Sequence, residues 1–274
     1  MGGEIGYRRP GVAGSGTIAC GLAAVATTLG PVRLLARSDA SAWRAEEGAQ
    51  ATAAKLDGGR PENVKVTTEI GDLARCDLVV EAIAEQLDAK GELLEAIAGA
   101  CPDADLASTT SSLSIGELAT RSGAPKRLFG LHVFNPVPKM ELVELCLPEG
   151  LGSGVSSRAI AWCEALGKTP VMVPDEAGFV VNRLLFPYLF DAVRLLERTG
   201  MRPAEIDACM TLGASHTMGP LRLLDFVGLD VAKAIGDALY ADSGEDAHRP
   251  AGRIVALVGE GKLGRKSGQG FYEY

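Results

Sequence analysis

Residues 11–36, GVAGSGTIACGLAAVATTLGPVRLLA, contain the pattern that decides the fold class of this chain. Between a short apolar run before Gly14 and a second run at 32–36, apolar residues recur at the spacing of one helix face: Ile18, Leu22, Val25 and Leu29. Gly30 stands where such a helix would end. The stretch therefore predicts a strand, a helix and a second strand, with Pro10 tolerated at the first position of the first strand.

A GxGxxA motif, formed by Gly14, Gly16 and Ala19, lies at the turn from the first strand into the helix. The first glycine permits a tight turn, and the second lets a pyrophosphate approach the backbone. The small third residue lets helix and strand pack closely. The backbone of Thr17 and Ile18 adds the N–H groups of the helix N-terminus, which favour phosphate. A glycine-rich turn alone is a weak signal, but inside a βαβ unit it predicts dinucleotide binding.

The end of the second strand bears on the choice between NAD and NADP. A carboxylate there usually binds the adenosine ribose of NAD. In this chain the strand is followed by Arg37 and Ser38, and no carboxylate occurs before Asp39. Because a guanidinium can bind a 2′-phosphate in a bidentate manner, Arg37 and Ser38 favour NADP. The alternative is NAD, with Arg37 solvated and Asp39 on the ribose.

Strands and helices alternate up to about residue 174 and give way to helices beyond it. The predicted strands after the βαβ unit are 64–68, 77–83, 105–109 and 169–174. The predicted later helices are 178–200, 203–212, 231–240 and 252–259. The predicted fold is α/β: a Rossmann-type dinucleotide-binding domain over residues 1–174, then an all-α substrate and dimerisation domain over 175–274.

The stretch 127–146, RLFGLHVFNPVPKMELVELC, contains two apolar runs joined by a proline-rich segment. His132 lies in the first run, and Glu144 lies in the second between Val143 and Leu145. A carboxylate in a buried strand is costly unless it is paired, and His132 is the nearest candidate. Taken alone, the two residues are interpreted as satisfied polar groups of the core. Asn182 raises the same question, because it lies on the apolar stripe of the 178–200 helix.

Composition excludes several classes of protein. The chain has 274 residues, of which 47% are hydrophobic and 23% charged, and a net charge of −8. It is therefore globular, and neither nucleic acid nor an anionic membrane is expected as a partner. Six scattered cysteines and the lack of a signal-peptide core at the N-terminus predict a cytoplasmic location. Three histidines without ligand spacing predict no metal site. We expect His216 to be structural and His248 to be solvated.

Eight segments together resemble the L-3-hydroxyacyl-CoA dehydrogenase family, which includes 3-hydroxybutyryl-CoA dehydrogenases, over nearly the whole chain. They are GVAGSGTIACGLA, DLVVEAIAE, ASTTSSLSI, GLHVFNPVP, LVEL, GFVVNRLLFPY, GPLRLLDFVGLD and GRKSGQGFYEY. The resemblance implies an NAD(P)-dependent oxidoreductase that interconverts a short-chain 3-hydroxyacyl-CoA and the 3-oxoacyl-CoA. It also implies a helical domain that forms a homodimer.

The resemblance also assigns roles to residues. It implies that His132 is the catalytic acid and base and that Glu144 orients it. Ser111 and Asn182 are implied to take part in catalysis and to bind the substrate. Cofactor contacts are implied for three further residues: Glu85, Lys90 and Lys266. These roles suit the chemistry, because an imidazole can accept the hydroxyl proton near neutral pH while a carboxylate stabilises the imidazolium.

The chain departs from the family in three places. Thr109 stands where the family commonly has asparagine, and Arg37 stands where it has the acidic ribose residue. The segment 39–62 is too short for the helical hairpin that helps to hold CoA in the family. The shortened segment leaves one alternative open, a dehydrogenase of a carrier-protein-tethered hydroxyacyl group or a free hydroxy acid. A second alternative, of a different class, is a nucleotide-binding homologue without catalysis.

Overall fold

The computed structural model describes residues 6–274, so the first five residues of the predicted N-terminal domain lie outside the described part. Two compact units are present, one up to Asp175 and one from Glu176. The first unit contains one eight-stranded sheet. Its strands are β1 Pro10–Ala13, β2 Val32–Leu35, β3 Val64–Thr67, β4 Leu78–Glu81, β5 Asp105–Ser108, β6 Leu128–Val133, β7 Leu142–Cys146 and β8 Thr169–Val173.

The strand order is β3-β2-β1-β4-β5-β6-β7-β8. Strands β1 to β6 are parallel, β7 runs antiparallel to β6, and β8 is parallel to β7. The order reverses between β1 and β4. In such sheets ligands bind outside the carboxyl ends of the strands at the point of reversal. The loops after β1, β2, β4 and β5 therefore lie where a dinucleotide is expected.

Five helices belong to the first unit: α1 Thr17–Ala26, α2 Asp39–Ala53, α3 Leu87–Ala100, α4 Ile115–Arg121 and α5 Val155–Ala165. Helix α1 ends before Gly30, and at its end the Thr27 hydroxyl donates to the Ala24 carbonyl. Helix α2 starts at a capping box in which Ser38 and Ser41 bond to each other's backbone N–H groups. The core strands of this unit are almost wholly apolar because helices cover a parallel sheet on its faces.

The second unit is helical, with α6 Val181–Thr199, α7 Pro203–Ala208, α8 Pro220–Val227, α9 Leu229–Ser243 and α10 Gly252–Gly259. The segment predicted as one helix over 203–212 is α7 followed by a π-helical turn, Cys209–Gly213. The core of the unit includes Phe186, Leu189 and Phe190 from α6. The predicted fold class, α/β followed by all-α, is confirmed.

His248 is buried, so the expectation that it is solvated was wrong. Helix α9 ends at Ser243, and a 3₁₀ turn, Asp246–His248, brings the imidazole back to the Ser243 hydroxyl, which bonds its Nδ1. The residues around His248 are polar, so the sequence gives no sign that the chain folds back here and buries the imidazole.

Over residues 6–274 no helix combines the length and apolar character that a membrane span needs. Within the same range no three His, Cys, Asp or Glu side chains are grouped so as to hold a metal ion.

Candidate active site

The structure requires glycine at the two positions of the GxGxxA motif for different reasons. Gly14 has φ +147°, and a Cβ atom there would lie 2.4 Å from the Ala82 carbonyl oxygen. Gly16 has open space instead, with no atom within 4 Å of a Cβ position. Gly16 is also the N-cap of α1 and, since it has no side chain, it gives the helix no side-chain cap. The first N–H groups of α1 therefore face a space into which a phosphate fits.

A cavity of about 650 Å³ extends along the carboxyl ends of the strands, a size suited to a cofactor. Seven of the predicted cofactor-binding residues line it: Gly14, Gly16, Thr17, Ile18, Arg37, Glu85 and Lys90. Ser111 and Thr109 line it as well. Ala19 is fully buried under the turn, where its methyl group lies beside Gly14. The uncapped helix and the glycine cradle fit a dinucleotide.

Arg37 and Ser38 differ in their surroundings. Arg37 is exposed, lines the cavity, and has neither ion-pair nor hydrogen-bond partner among residues 6–274. Ser38 is not part of the lining, and its hydroxyl accepts the Ser41 backbone N–H at the start of α2. Asp39, the alternative ribose ligand, lies in the first turn of α2 and is absent from the lining. The side chain beyond β2 that borders the cavity is thus a cation.

Glu85 organises the loop that carries Ser111. One carboxylate oxygen of Glu85 accepts the Ser111 backbone N–H at 2.8 Å, and the Thr110 hydroxyl at 2.6 Å. It also accepts the backbone N–H of Ser112 at 3.0 Å. Burial acts to raise the pKa of Glu85, but the charge of Lys90 and these hydrogen bonds outweigh it, so the pKa is lowered. Glu85 is therefore held as a carboxylate at the edge of the cavity.

Lys90 is a buried cation with internal counter-charges. Its side chain is 1% exposed, and its Nζ lies 2.8 Å from Glu81 and 3.4 Å from Glu85. Glu81 is fully buried and also accepts the Ser108 hydroxyl at 2.6 Å. The sequence interpretation did not assign Glu81 and Ser108 to the site. The sequence signal that could have identified Glu81 is its position at the end of the apolar strand β4, where a carboxylate needs a buried partner.

His132 and Glu144 are brought together by the β6–β7 pairing. They are direct partners in the antiparallel register, and His132 Nδ1 lies 2.7 Å from a Glu144 carboxylate oxygen. The two side chains are 7% and 1% exposed. The imidazole also contacts the ring of Phe134, with centroids 4.5 Å apart. A buried carboxylate that fixes one ring nitrogen leaves the imidazole suited to proton transfer.

Asn182 and Lys266 belong to the second unit. Asn182 lies in the first turn of α6 and is 9% exposed, as its position on the apolar stripe predicts. Lys266 lies in a 3₁₀ turn, Arg265–Ser267, and its Nζ is 2.5 Å from an Asp230 carboxylate oxygen. His216 is exposed and contacts the Tyr188 hydroxyl.

Comparison with known families assigns both units. The model of the 3-hydroxyacyl-CoA dehydrogenase NAD binding domain matches residues 10–177, and that of the C-terminal domain matches residues 178–274. The chain belongs to the 3-hydroxyacyl-CoA dehydrogenase family. The predicted family is thereby confirmed, as are a nicotinamide dinucleotide cofactor and the class of enzyme, a nicotinamide-dependent dehydrogenase.

Individual members of the 3-hydroxyacyl-CoA dehydrogenase family are similar along most of the chain. A probable 3-hydroxybutyryl-CoA dehydrogenase of Deinococcus radiodurans is 43% identical over 212 residues, which cover 77% of this chain and 76% of that protein. The crystal structure of M. tuberculosis FadB2 superposes with a TM-score of 0.93 at 35% identity, covering 98% and 99% of the two chains. The (S)-3-hydroxybutyryl-CoA dehydrogenase PaaH1 of Ralstonia eutropha gives 0.91 at 35% identity, with the same coverage.

Proposed function

We propose that this protein interconverts a short-chain 3-hydroxyacyl-CoA and the corresponding 3-oxoacyl-CoA, with His132 as general acid and base. The observation that carries the proposal is the buried His132–Glu144 pair at the carboxyl end of β6. The dinucleotide cavity lies along the carboxyl ends of the neighbouring parallel strands, at the same edge of the sheet. The names of the similar proteins support a 3-hydroxybutyryl or similarly short acyl group.

The proposed mechanism assigns the proton to His132. When bound, the nicotinamide accepts a hydride from C3 of the substrate or donates one to it. Glu144 holds a proton on Nδ1 of His132, so the lone pair of the neutral ring is on Nε2, the nitrogen that takes the C3 hydroxyl proton. As the imidazolium forms, the carboxylate 2.7 Å away stabilises its charge.

Ser111 and Asn182 are proposed to hydrogen-bond the substrate, at the C3 oxygen or the thioester carbonyl. Ser111 is supported by its place in the cavity lining, where Glu85 fixes its backbone. The role of Asn182 is supported by its burial on the apolar face of α6, because a buried amide needs a hydrogen-bond partner. Such donors hold C3 in place and stabilise charge that develops on oxygen.

The proposed cofactor is NADP rather than NAD. Arg37 supports this choice, because its guanidinium lines the cavity and has no ion-pair partner among residues 6–274. A guanidinium binds a 2′-phosphate well, whereas it cannot accept the hydrogen bonds of the ribose hydroxyls as a carboxylate does. Ser38 contributes through the N-terminus of α2, which it caps. Use of NADPH would favour reduction of the 3-oxoacyl thioester in the cell. Lys266 and Lys90 are proposed cofactor contacts on the family resemblance, Lys90 acting through its pairing with Glu85.

The experiment is an assay of the full chain with acetoacetyl-CoA and either NADPH or NADH, followed by the loss of reduced-nicotinamide absorbance. We expect turnover with both, and a higher kcat/KM with NADPH. A higher kcat/KM with NADH would overturn the NADP proposal alone. Tight dinucleotide binding without turnover would instead identify a nucleotide-binding homologue without catalysis.

A second candidate substrate is a hydroxyacyl group on a carrier protein, or a free hydroxy acid. Between β2 and β3 the chain forms only α2 and a 3₁₀ turn, Pro61–Asn63. That turn is tied to the end of α1, where the Arg60 N–H and the Asn63 amide donate to Thr27. This closed connection replaces the hairpin that helps to hold CoA in the family. Equal kcat/KM for acetoacetyl-CoA and acetoacetyl-pantetheine would favour this candidate.

We also propose a homodimer formed through the second unit, in the cytoplasm. Large apolar side chains of that unit are exposed in the single chain, among them Leu184, Leu212 and Phe226. Such exposure is typical of a surface that a second copy covers. All six cysteines are free thiols, which suits a reducing compartment. Sedimentation equilibrium of the purified chain tests the dimer.

A further inference from the structure

A single helical turn joins the strand of His132 to the strand of Glu144. The backbone N–H groups of Lys139 and Met140 both donate to the Pro136 carbonyl, at 2.9 and 3.1 Å. A turn of this kind leaves carbonyl groups at its C-terminal end without partners inside the turn. The turn lies between β6 and β7, so it connects the strand that carries His132 to the strand that carries Glu144.

Lys168 satisfies these carbonyl groups from outside the turn. Its Nζ donates to the Val137 carbonyl at 2.6 Å and to the Met140 carbonyl at 2.8 Å. The residue is 8% exposed, and burial lowers the pKa of its ammonium group while the charge of Glu141 opposes that shift. A buried cation is the group that best matches the negative end of a helical turn.

The backbone at Lys168 is itself held by hydrogen bonds. Its backbone N–H donates to the Cys163 carbonyl of α5, and the next residue, Thr169, donates to the Glu141 carbonyl as β8 begins beside β7. Two consecutive residues therefore hold the turn and the residue after it: Lys168 through its side chain and Thr169 through its backbone N–H.

The other face of the turn contacts the dinucleotide helix. Val137 is 2% exposed, and a Cβ atom added to Gly21 of α1 would lie 3.1 Å from the Val137 Cβ. The turn is thus packed between α1, whose N-terminus borders the dinucleotide cavity, and the Lys168 ammonium group. It is the structural link between the cofactor helix and the strands of the His132–Glu144 pair.

We propose that Lys168 is a positioning residue, which holds the 136–140 turn and through it sets His132 at the correct place relative to α1. The proposal rests on the proposed function, since it assumes that His132 carries the proton. The Lys168 ammonium group bonds to the Val137 and Met140 carbonyls, so its proposed effect on His132 passes through the turn.

The test compares Lys168→Met, Lys168→Arg and a matched control, Lys139→Met, in the full-length protein. Lys139 is in the same turn, is exposed, and has no side-chain partner among residues 6–274. The readouts are the dissociation constant of NADPH and the single-turnover rate of acetoacetyl-CoA reduction per mole of bound NADPH. A lysine that only stabilised the fold would lower the melting temperature without changing that rate.

For Lys168→Met we expect the single-turnover rate to fall about 10- to 100-fold, since small misplacements of a catalytic group have effects of this size. The affinity for NADPH should stay at the wild-type value, because the glycine turn and α1 are unchanged. Lys168→Arg should recover most of the rate, since a guanidinium also donates to two carbonyls. Lys139→Met should match wild type. A wild-type rate in Lys168→Met, or an equal loss of rate and affinity, overturns the proposal.

Two measurements keep the test decisive if a variant or the assay fails. If Lys168→Met does not fold, Val137→Ala removes the methyl groups of the turn that pack toward Gly21. It should lower the same rate without changing NADPH affinity, and an unchanged rate overturns the proposal. If the wild-type chain does not reduce acetoacetyl-CoA, the proposed function fails by itself. Hydrogen–deuterium exchange then decides: faster exchange over residues 136–146 in a folded Lys168 variant supports the holding role, and unchanged exchange refutes it.

Discussion

His132 and Glu144 face each other across antiparallel strands β6 and β7, with His132 Nδ1 2.7 Å from a Glu144 carboxylate oxygen. Removal of the imidazole should remove the general base. We expect His132→Ala to lower kcat/KM for 3-hydroxybutyryl-CoA by about 10²- to 10⁴-fold while the dinucleotide still binds. Steady-state kinetics with 3-hydroxybutyryl-CoA measure the effect. His216→Ala is the control, because His216 is an exposed histidine of the second unit, and its activity should equal that of wild type.

Glu144 contributes its charge as well as its hydrogen bond. In Glu144→Gln an amide replaces the carboxylate, so the side chain keeps a similar shape but no longer stabilises the imidazolium or fixes one tautomer. We expect kcat to fall about 10- to 10⁴-fold with little change in KM for the dinucleotide. The double variant with His132→Ala should be no slower than His132→Ala alone, because both residues act in one step. Additive losses would show that Glu144 acts independently of His132.

Arg37 should decide between the two dinucleotides. In Arg37→Ser the charge-assisted bonds to a 2′-phosphate are lost, which corresponds to about 1.5–3 kcal/mol or roughly 10- to 100-fold in kcat/KM with NADPH. The value with NADH should change little. Arg44→Ser removes the same charge from an exposed position on α2 that does not line the cavity, so it serves as the control. Equal losses with both cofactors in Arg37→Ser would contradict the assignment.

Substitution of the two motif glycines should affect stability and dinucleotide affinity differently. Gly14→Ala combines a positive φ with a Cβ atom 2.4 Å from the Ala82 carbonyl, so both the melting temperature and dinucleotide affinity should fall. Gly16→Ala meets no protein atom within 4 Å. Its cost to stability should be that of an alanine N-cap, about 1 kcal/mol or less. Its methyl group occupies the phosphate space, so fluorescence titration should show affinity reduced by at least about 10-fold. Unchanged affinity in Gly16→Ala would exclude the proposed phosphate position.

Glu85 should make the stability of the first unit depend on acid pH. Its pKa is held below the ordinary carboxyl value of about 4.3, so its stabilisation is complete above that value and is lost as pH falls through the folded-state pKa. At neutral pH, Glu85→Gln should lower the free energy of unfolding by about 1 kcal/mol, a figure reduced for the partial exposure of the side chain.

The difference between wild type and Glu85→Gln should shrink as the pH is lowered below about 4. Urea unfolding at several pH values measures it. Glu95→Gln, an exposed carboxylate of α3 without an ion pair among residues 6–274, should show no such difference at any pH. A difference that stays constant down to the lowest pH would mean that the charge of Glu85 is not responsible.

Local sequence pattern was sufficient to predict the elements that depend on interactions between residues close in the chain. The GxGxxA motif requires glycine for reasons of backbone conformation and close approach, so the βαβ unit and its cavity were predictable from residues 11–36. Helix α10 was predicted with its observed ends, since its apolar residues recur at helical spacing. The solvated state expected for His248 was wrong, because its burial depends on where the chain returns after α9.

The amino-acid sequence by itself determined the class of fold, the dinucleotide turn, and the residue types available for proton transfer. Periodicity and glycine placement express constraints between residues close in the chain. Tertiary structure alone decided that His132 and Glu144 are register partners, that Glu81 and Glu85 share Lys90, and that Lys168 reaches back to the turn at 136–140. Each of these contacts depends on strand register or on where a segment distant in the chain packs. No local sequence pattern encodes the distance between atoms of residues that are far apart in the chain.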